Sequence, residues 1–358
     1  MMVVVALVPR DCRRFMASSS SSSSSSSWTP STLPQSQNNN DGSSIVRLVI
    51  ISDTHNHHKE LTPLLPPPCE RNRRTILLHC GDFADRGSLR CVRSFCRWLS
   101  HDEGTEDTPP PPSPTTTLSG LPSHFDEVVV VDGNHDHSRP PLPPIDLASE
   151  FEECNRRLQQ QGSRRRVHFL QDASVTIAGI RIHGVSWRSI QYQNYAGDYS
   201  AIVVHDDGQD GKGIMMTPDI VVSHLVPYFS KQEQKQAIIV KSDNGSKNNS
   251  NNSGIDFRAW QGSKQLKTIS RHYKIPLVLS GHVHWGRGAV YIPSHGGGDD
   301  DGSGTTHDHG TLFVNAASTK PHRPSMNHSH AGSNVTAPVI IEYDTKHRRV
   351  VRISCPAH

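Results

Sequence analysis

Residues Val128–Ser138 read VVVVDGNHDHS. Four successive valines with no polar alternation predict a short strand buried on both faces. The run then stops at once in Asp132, Gly133, Asn134, His135, Asp136 and His137, groups that resist burial. One polar strand cap would be ordinary, but the pattern recurs. RLVIISDTH (47–55) ends in Asp53 and His55, and TILLHCGDFADRG (75–87) leads into Asp82, Asp85 and Arg86. DIVVSH (219–224) ends in His224, and PLVLSGHVH (276–284) ends in His282 and His284. Strands covered on both faces belong to layered folds, whose loops at the carboxyl ends of the strands gather at one rim where ligands bind. Five runs therefore deliver Asp, Asn and His side chains to one edge.

Further strands are predicted on both sides of this set. RVHFL, SVTIA and IRIHGVSW precede His224, and GAVYI, TLFVNAAS, PVIIEYD and RVVRIS follow His284. They read as antiparallel pairs, and Leu89–Ser100 reads as a helix. The expectation is two stacked sheets with helices outside. Three polar stretches, near 101–123, 241–254 and 294–310, are too poor in apolar residues to offset the entropy of ordering, so they are expected as loop insertions within one domain spanning 44–358. His295, His307 and His309, in the last of them, are read as loop residues rather than ligands.

Composition bounds the function. With 358 residues of which 34% are hydrophobic, one diluted core is expected rather than two. A net charge of +3 is too small to imply a nucleic-acid partner. The seven cysteines form no CxxC pair, which points to a reducing, cytoplasmic setting. No run is apolar for long enough to suggest a membrane partner. Residues 1–43, with a serine tract and Arg10, Arg13 and Arg14, read as a disordered tail, the alternative being an organelle transit segment. The oligomeric state has no signature in the chain.

The rim residues are good ligands for first-row divalent metals. A carboxylate can bridge two ions, and Asp82, after its glycine, is the candidate. Asp53 and His55 are two apart and can face one ion from a tight turn, while His282 and His284 can serve one ion each. Asn134 offers a carbonyl oxygen and His224 another imidazole. Two ions roughly 3.5–4 Å apart would suit the clamping of a phosphoryl group and the generation of hydroxide between them.

DTH, GDFAD, GNHD, an isolated SH and GHVH, in that order and each after an apolar strand, resemble the signature of the calcineurin-like metallophosphoesterase superfamily. The resemblance spans Asp53 to His284. It implies an α/β fold, a four-layered α/β/β/α sandwich of two mixed sheets with flanking helices, and two metal ions, divalent or mixed-valence, drawn from manganese, iron and zinc. Carried over by position, one ion takes Asp53, His55, Asp82 and His284, and the other takes Asp82, Asn134, His224 and His282. The resemblance makes His135 the group near the leaving oxygen, oriented by Asp136.

GDFADRG is similar to the protein serine/threonine phosphatases, which would give Arg86 a grip on phosphate. Their third motif, however, is GNHE, with an arginine where Asp132 stands. TLFVNAAS followed by APVIIEYD is more similar to the small metallophosphoesterase-domain proteins that include cyclic-nucleotide phosphodiesterases. GVSW resembles their Gly-Ser-Pro-Trp element, with Ser186 in place of proline. The expected function is therefore metal-dependent hydrolysis of a phosphate ester, a cyclic-nucleotide-type diester before a phosphatase-like monoester. A non-catalytic metal-binding scaffold is the remaining alternative.

Overall fold

The computed structural model describes residues 44–69, 73–100, 120–139, 142–191, 204–206, 214–240, 260–293, 310–319 and 335–354. The expected tail, 1–43, lies outside them, as do His295, His307, His309 and the three expected loops apart from 120–123 and Gly310. Fifteen strands occur in chain order among the described residues. The first eight are β1 (Ile45–Ile51), β2 (Thr75–His79), β3 (Glu127–Val130), β4 (Arg166–Phe169), β5 (Ala173–Ile177), β6 (Ile180–Val185), β7 (Val204–Asp206) and β8 (Ile214–Met216). The rest are β9 (Ile220–Ser223), β10 (Ile238–Val240), β11 (Leu277–Ser280), β12 (Gly288–Ile292), β13 (Thr311–Asn315), β14 (Val339–Asp344) and β15 (Arg349–Ser354).

Two mixed sheets result, ordered β15-β14-β1-β2-β3-β4 and β10-β12-β13-β11-β9-β6-β5, with β7 and β8 forming a separate ribbon. Within each sheet the strands that carry the motifs run parallel to one another, β1 with β2, β2 with β3, and β9 with β11, while β1 is antiparallel to β14 on its other side. One expected antiparallel placement is corrected: the RVHFL strand, β4, extends the first sheet in parallel with β3. The expected antiparallel pairing of β12 with β13 forms, and β13 runs parallel to β11 on its other side. Strand propensity does not encode direction, which is set here by where the intervening chain returns.

Unbroken apolar strands are explained by three packed layers of side chains. In β1, Leu48 and Ile50 enter a core shared by the two sheets, with Ile182, Val222 and Leu279 facing them. The alternate residues Val49 and Ile51 point the other way, against Phe95, Trp98 and Leu99 of α1 (Leu89–Ser100) and Phe151 and Leu158 of α2 (Leu147–Gln160). On the second sheet, Val221, Val278 and Phe313 pack outward on Leu266 and Ile269 of a helix at Lys264–His272. β2, β9 and β11 are buried at every position, and β1 and β3 over their last four and last three residues, which leaves the strand ends as the place for polar groups. The expected helix at Leu89–Ser100 forms with those bounds. No described helix is long and apolar enough to cross a membrane.

Candidate metal centre

The carboxyl ends of β1, β2, β3, β9 and β11 meet at one rim and bring together all seven expected ligands. The turns that do so are unusually tight. Asp53, His55, Asp82 and His282 have positive φ, between 42° and 68°, a region open chiefly to glycine and tolerated by Asp, Asn and His. The backbone holds them there: Asp53 N donates to Gly81 O at 2.9 Å and His55 N to Asp82 O at 3.0 Å. Glycines make room, since a Cβ on Gly133 would collide with the Asp82 carboxylate and one on Gly281 with Ser52 and Asp53.

Asp82 sits at the centre, almost wholly buried. Its Oδ1 accepts the His135 amide at 2.7 Å. Its Oδ2 lies 3.2 Å from His224 Nε2 and 3.8 Å from His55 Nε2, between the two halves of the cluster. On one side His284 Nε2 is 3.5 Å from Asp53 Oδ1, and the His55 and His284 rings stack at 5.4 Å. On the other side His224 Nε2 lies 3.1 Å from Asn134 Oδ1 and 3.2 Å from His282 Nδ1.

These donors fit a pair of cations. His224 Nδ1 donates to the Cys80 carbonyl at 2.8 Å, which turns Nε2 toward Asp82, Asn134 and His282. His284 Nδ1 faces the Thr319 carbonyl at 3.0 Å, which leaves Nε2 for the Asp53 side. Such outer hydrogen bonds fix the tautomer of a ligating imidazole. Burial opposes a charge on His224, but the Asp82 and Asp53 carboxylates outweigh it and push that imidazole up to about 10. Burial, then the charge on His224, pulls His282 down to about 4. Burial likewise lowers His55. Asp82 is held well below the usual carboxylate range, because the facing His224 outweighs the effect of its burial.

The described residues contain three groupings of His and acidic side chains close enough to share a cation: Asp53, His55 and His284; Asp82, His224 and His282; and His55, Asp85 and His135. The profile of the calcineurin-like phosphoesterases matches residues 46–286, which takes in every residue of this rim. The chain belongs to the calcineurin-like phosphoesterase family. Members of that family use a dinuclear metal centre, and the first two groupings are candidate ligand groups for one. No curated protein matches the chain. Among solved structures it is similar to a phosphopantetheinyl hydrolase from Mycobacterium tuberculosis, at 14% identity over 80% of this chain and 95% of that one, with a TM-score of 0.36.

Two expected site residues stand elsewhere. Asp136 does not face the His135 ring. It is fully buried and accepts the amides of Gly133 at 2.7 Å, Ala84 at 2.8 Å and Asp82 at 2.9 Å. A carboxylate in a tight turn reaches back to nearby amides before it reaches a side chain. Burial and the neighbouring Asp82 charge push its carboxyl well above the ordinary range. The acid beside His135 is Asp85, with Oδ1 3.6 Å from Nδ1. Arg86 is 84% exposed, its Nε 4.0 Å from Asp85 Oδ2, and it makes no described contact with the metal ligands. Sequence reading also passed over Trp187 as a site residue, although its ring lies 5.4 Å from His224 and 5.2 Å from His282. Its place next to Ser186 in GVSW was the available signal.

Proposed function

We propose that the chain hydrolyses a phosphodiester of the cyclic-nucleotide type at a dinuclear centre, one ion held by Asp53, His55, Asp82 and His284 and the other by Asp82, Asn134, His224 and His282. The observation that carries this reading is the Asp82 carboxylate, whose Oδ2 stands between His224 and His55 while Oδ1 is tied to the His135 amide. Two ions bound there would supply Lewis acidity toward the phosphoryl oxygens and a nucleophile at neutral pH.

The residues around them do the remaining work. Asn134 and His135 are neighbours, so the turn that offers a ligand also presents an imidazole to the reacting ester. The His135 ring is 30% exposed, and its Nδ1 is buried without a hydrogen-bond partner 3.6 Å from Asp85. That arrangement suits delivery of a proton to the leaving oxygen, with Asp85 stabilising the charged ring. Asp136 keeps the Asp82 and Gly133 turns in register and so acts as a positioning residue. A diester is favoured over a phosphatase-like monoester because Arg86, the cation expected to grip a dianion, lies against Asp85 in solvent.

Turnover of bis-p-nitrophenyl phosphate, p-nitrophenyl phosphate and cyclic nucleotides, with manganese, iron and zinc in turn, tests the reading. Metal-dependent cleavage of diesters and cyclic nucleotides is expected. Faster cleavage of the monoester would move the assignment to the phosphatase-like alternative, and two bound ions without turnover would favour a scaffold.

A further inference from the structure

Asp132 has no role in the chemistry above, yet its carboxylate is wholly buried beside the site. Its Oδ2 accepts from two side chains, His137 Nε2 at 2.7 Å and Ser186 Oγ at 3.1 Å, while its Oδ1 is buried with no partner. A buried carboxylate with an unmet oxygen is destabilising, and a neutral side chain could cap the strand at less cost.

The two ends of this bridge belong to different sheets. Asp132 follows β3 in the first sheet and comes two residues before Asn134. Ser186 follows β6 in the second sheet and precedes Trp187, which packs on His224 and His282. Ser186 is also held from behind, because its amide donates to Asp172 Oδ1 at 3.0 Å and Ser189 Oγ donates to Asp172 Oδ2. Asp53, on the first-ion side, is held by other bonds: the Ser318 amide donates to Ser52 O at 2.9 Å, and the amide of His282, whose ring belongs to the second set, reaches both Asp53 oxygens at 2.9 and 3.0 Å. Ser186 stands where the similar small phosphoesterases carry proline, which has no hydroxyl to donate.

We propose that the Asp132–Ser186 hydrogen bond, braced by His137, is a clamp that positions the ligands of the second ion. It locks the rim that carries Asn134 to the rim that carries His224 and His282, and it leaves the first-ion set to its separate ties. This inference rests on the dinuclear reading of the site. Asp132, His137 and Ser186 are positioning residues, since none belongs to either ligand set.

The test is a titration of the metal-free full-length chain with Mn²⁺, following free Mn²⁺ by electron paramagnetic resonance. Two binding steps are expected in the wild type, and Asn134→Ala identifies the one that belongs to the second ion. Ser186→Ala should weaken that same step by about 10-fold or more and leave the other step and the thermal midpoint nearly unchanged. Ser186→Thr, which keeps the hydroxyl, should restore it. Asp132→Asn, which keeps the shape and weakens the bond, provides the same readout if Ser186→Ala fails to fold. Equal weakening of both steps, no weakening, or no rescue by threonine would overturn the clamp while the dinuclear reading stood. A wild type that binds one ion would overturn both.

Discussion

At the scale of single residues, each oxygen of Asp82 has its own task in the proposed site, and an amide cannot serve both. Asp82→Asn would put an NH₂ or a neutral oxygen where both ligand sets converge, so metal content and turnover should fall together. Two tightly held ions with normal turnover in that variant would show that Asp82 does not bridge. His135 is separable from the metals. His135→Ala should keep both ions, yet slow a substrate with a poor, high-pKa leaving group by roughly 100-fold. An aryl ester, whose leaving group hardly needs a proton, should lose much less. Because Asp85, rather than Asp136, faces the ring, Asp85→Asn should follow the same leaving-group pattern more weakly. Asp136→Asn should instead lower stability, since three backbone amides depend on that carboxylate. Comparing the two variants on paired substrates checks the assignment.

At the scale of elements, the geometry of the candidate site lies in the few residues after each strand. β11 ends at Ser280, and the next residue, Gly281, lies so close to Ser52 and Asp53 that a methyl group has no space. Gly281→Ala should therefore push the Asp53 carboxylate out of place. Overpacking of this kind costs about 1–3 kcal/mol, and a misplacement of about 1 Å can cost roughly 100-fold in rate. Loss of the first ion should exceed the loss of fold, as read by metal analysis beside a melting curve. Unchanged metal content would mean that the turn can relax. The apolar strand behind it needs no such care, because its side chains interdigitate with two cores and tolerate changes that conserve volume.

At the scale of the whole molecule, layering buries histidines that play no part in the metal site. Burial pulls His58 and His79 down to about 3 and His183 down to about 4, so all three are neutral in the folded chain at pH 7. In the unfolded chain they titrate near 6.5. As pH falls below about 6.5 the unfolded state gains protons that the folded state does not take up until about pH 3–4, so stability is lost on the acid side. At pH 5 this amounts to about 2 kcal/mol per histidine. Urea unfolding at pH 7 and pH 5 should show the drop, and His183→Gln should reduce it by about 2 kcal/mol. A stability that stays level between those pH values would mean the histidines are charged in the fold.

Much of this organisation was legible before any coordinates, and the reason is physical. Buried parallel strands must be continuously apolar, so a run such as VVVV broken by DGNHD marks both a layered core and its rim. The seven candidate ligands were found because each follows such a run within a few residues. The direction of β4 was not legible, because a strand has the same propensity whether it runs parallel or antiparallel. Nor were the partners of the polar groups. Motif reading names Asp136 as the acid beside His135, and only the fold sends it to three backbone amides and Asp85 to the imidazole. Likewise Asp132 and Ser186 are 54 residues apart in sequence, and local sequence cannot pair them. Residue identity set which chemistry was available at the rim, whereas the packing of two sheets against each other decided which groups meet there.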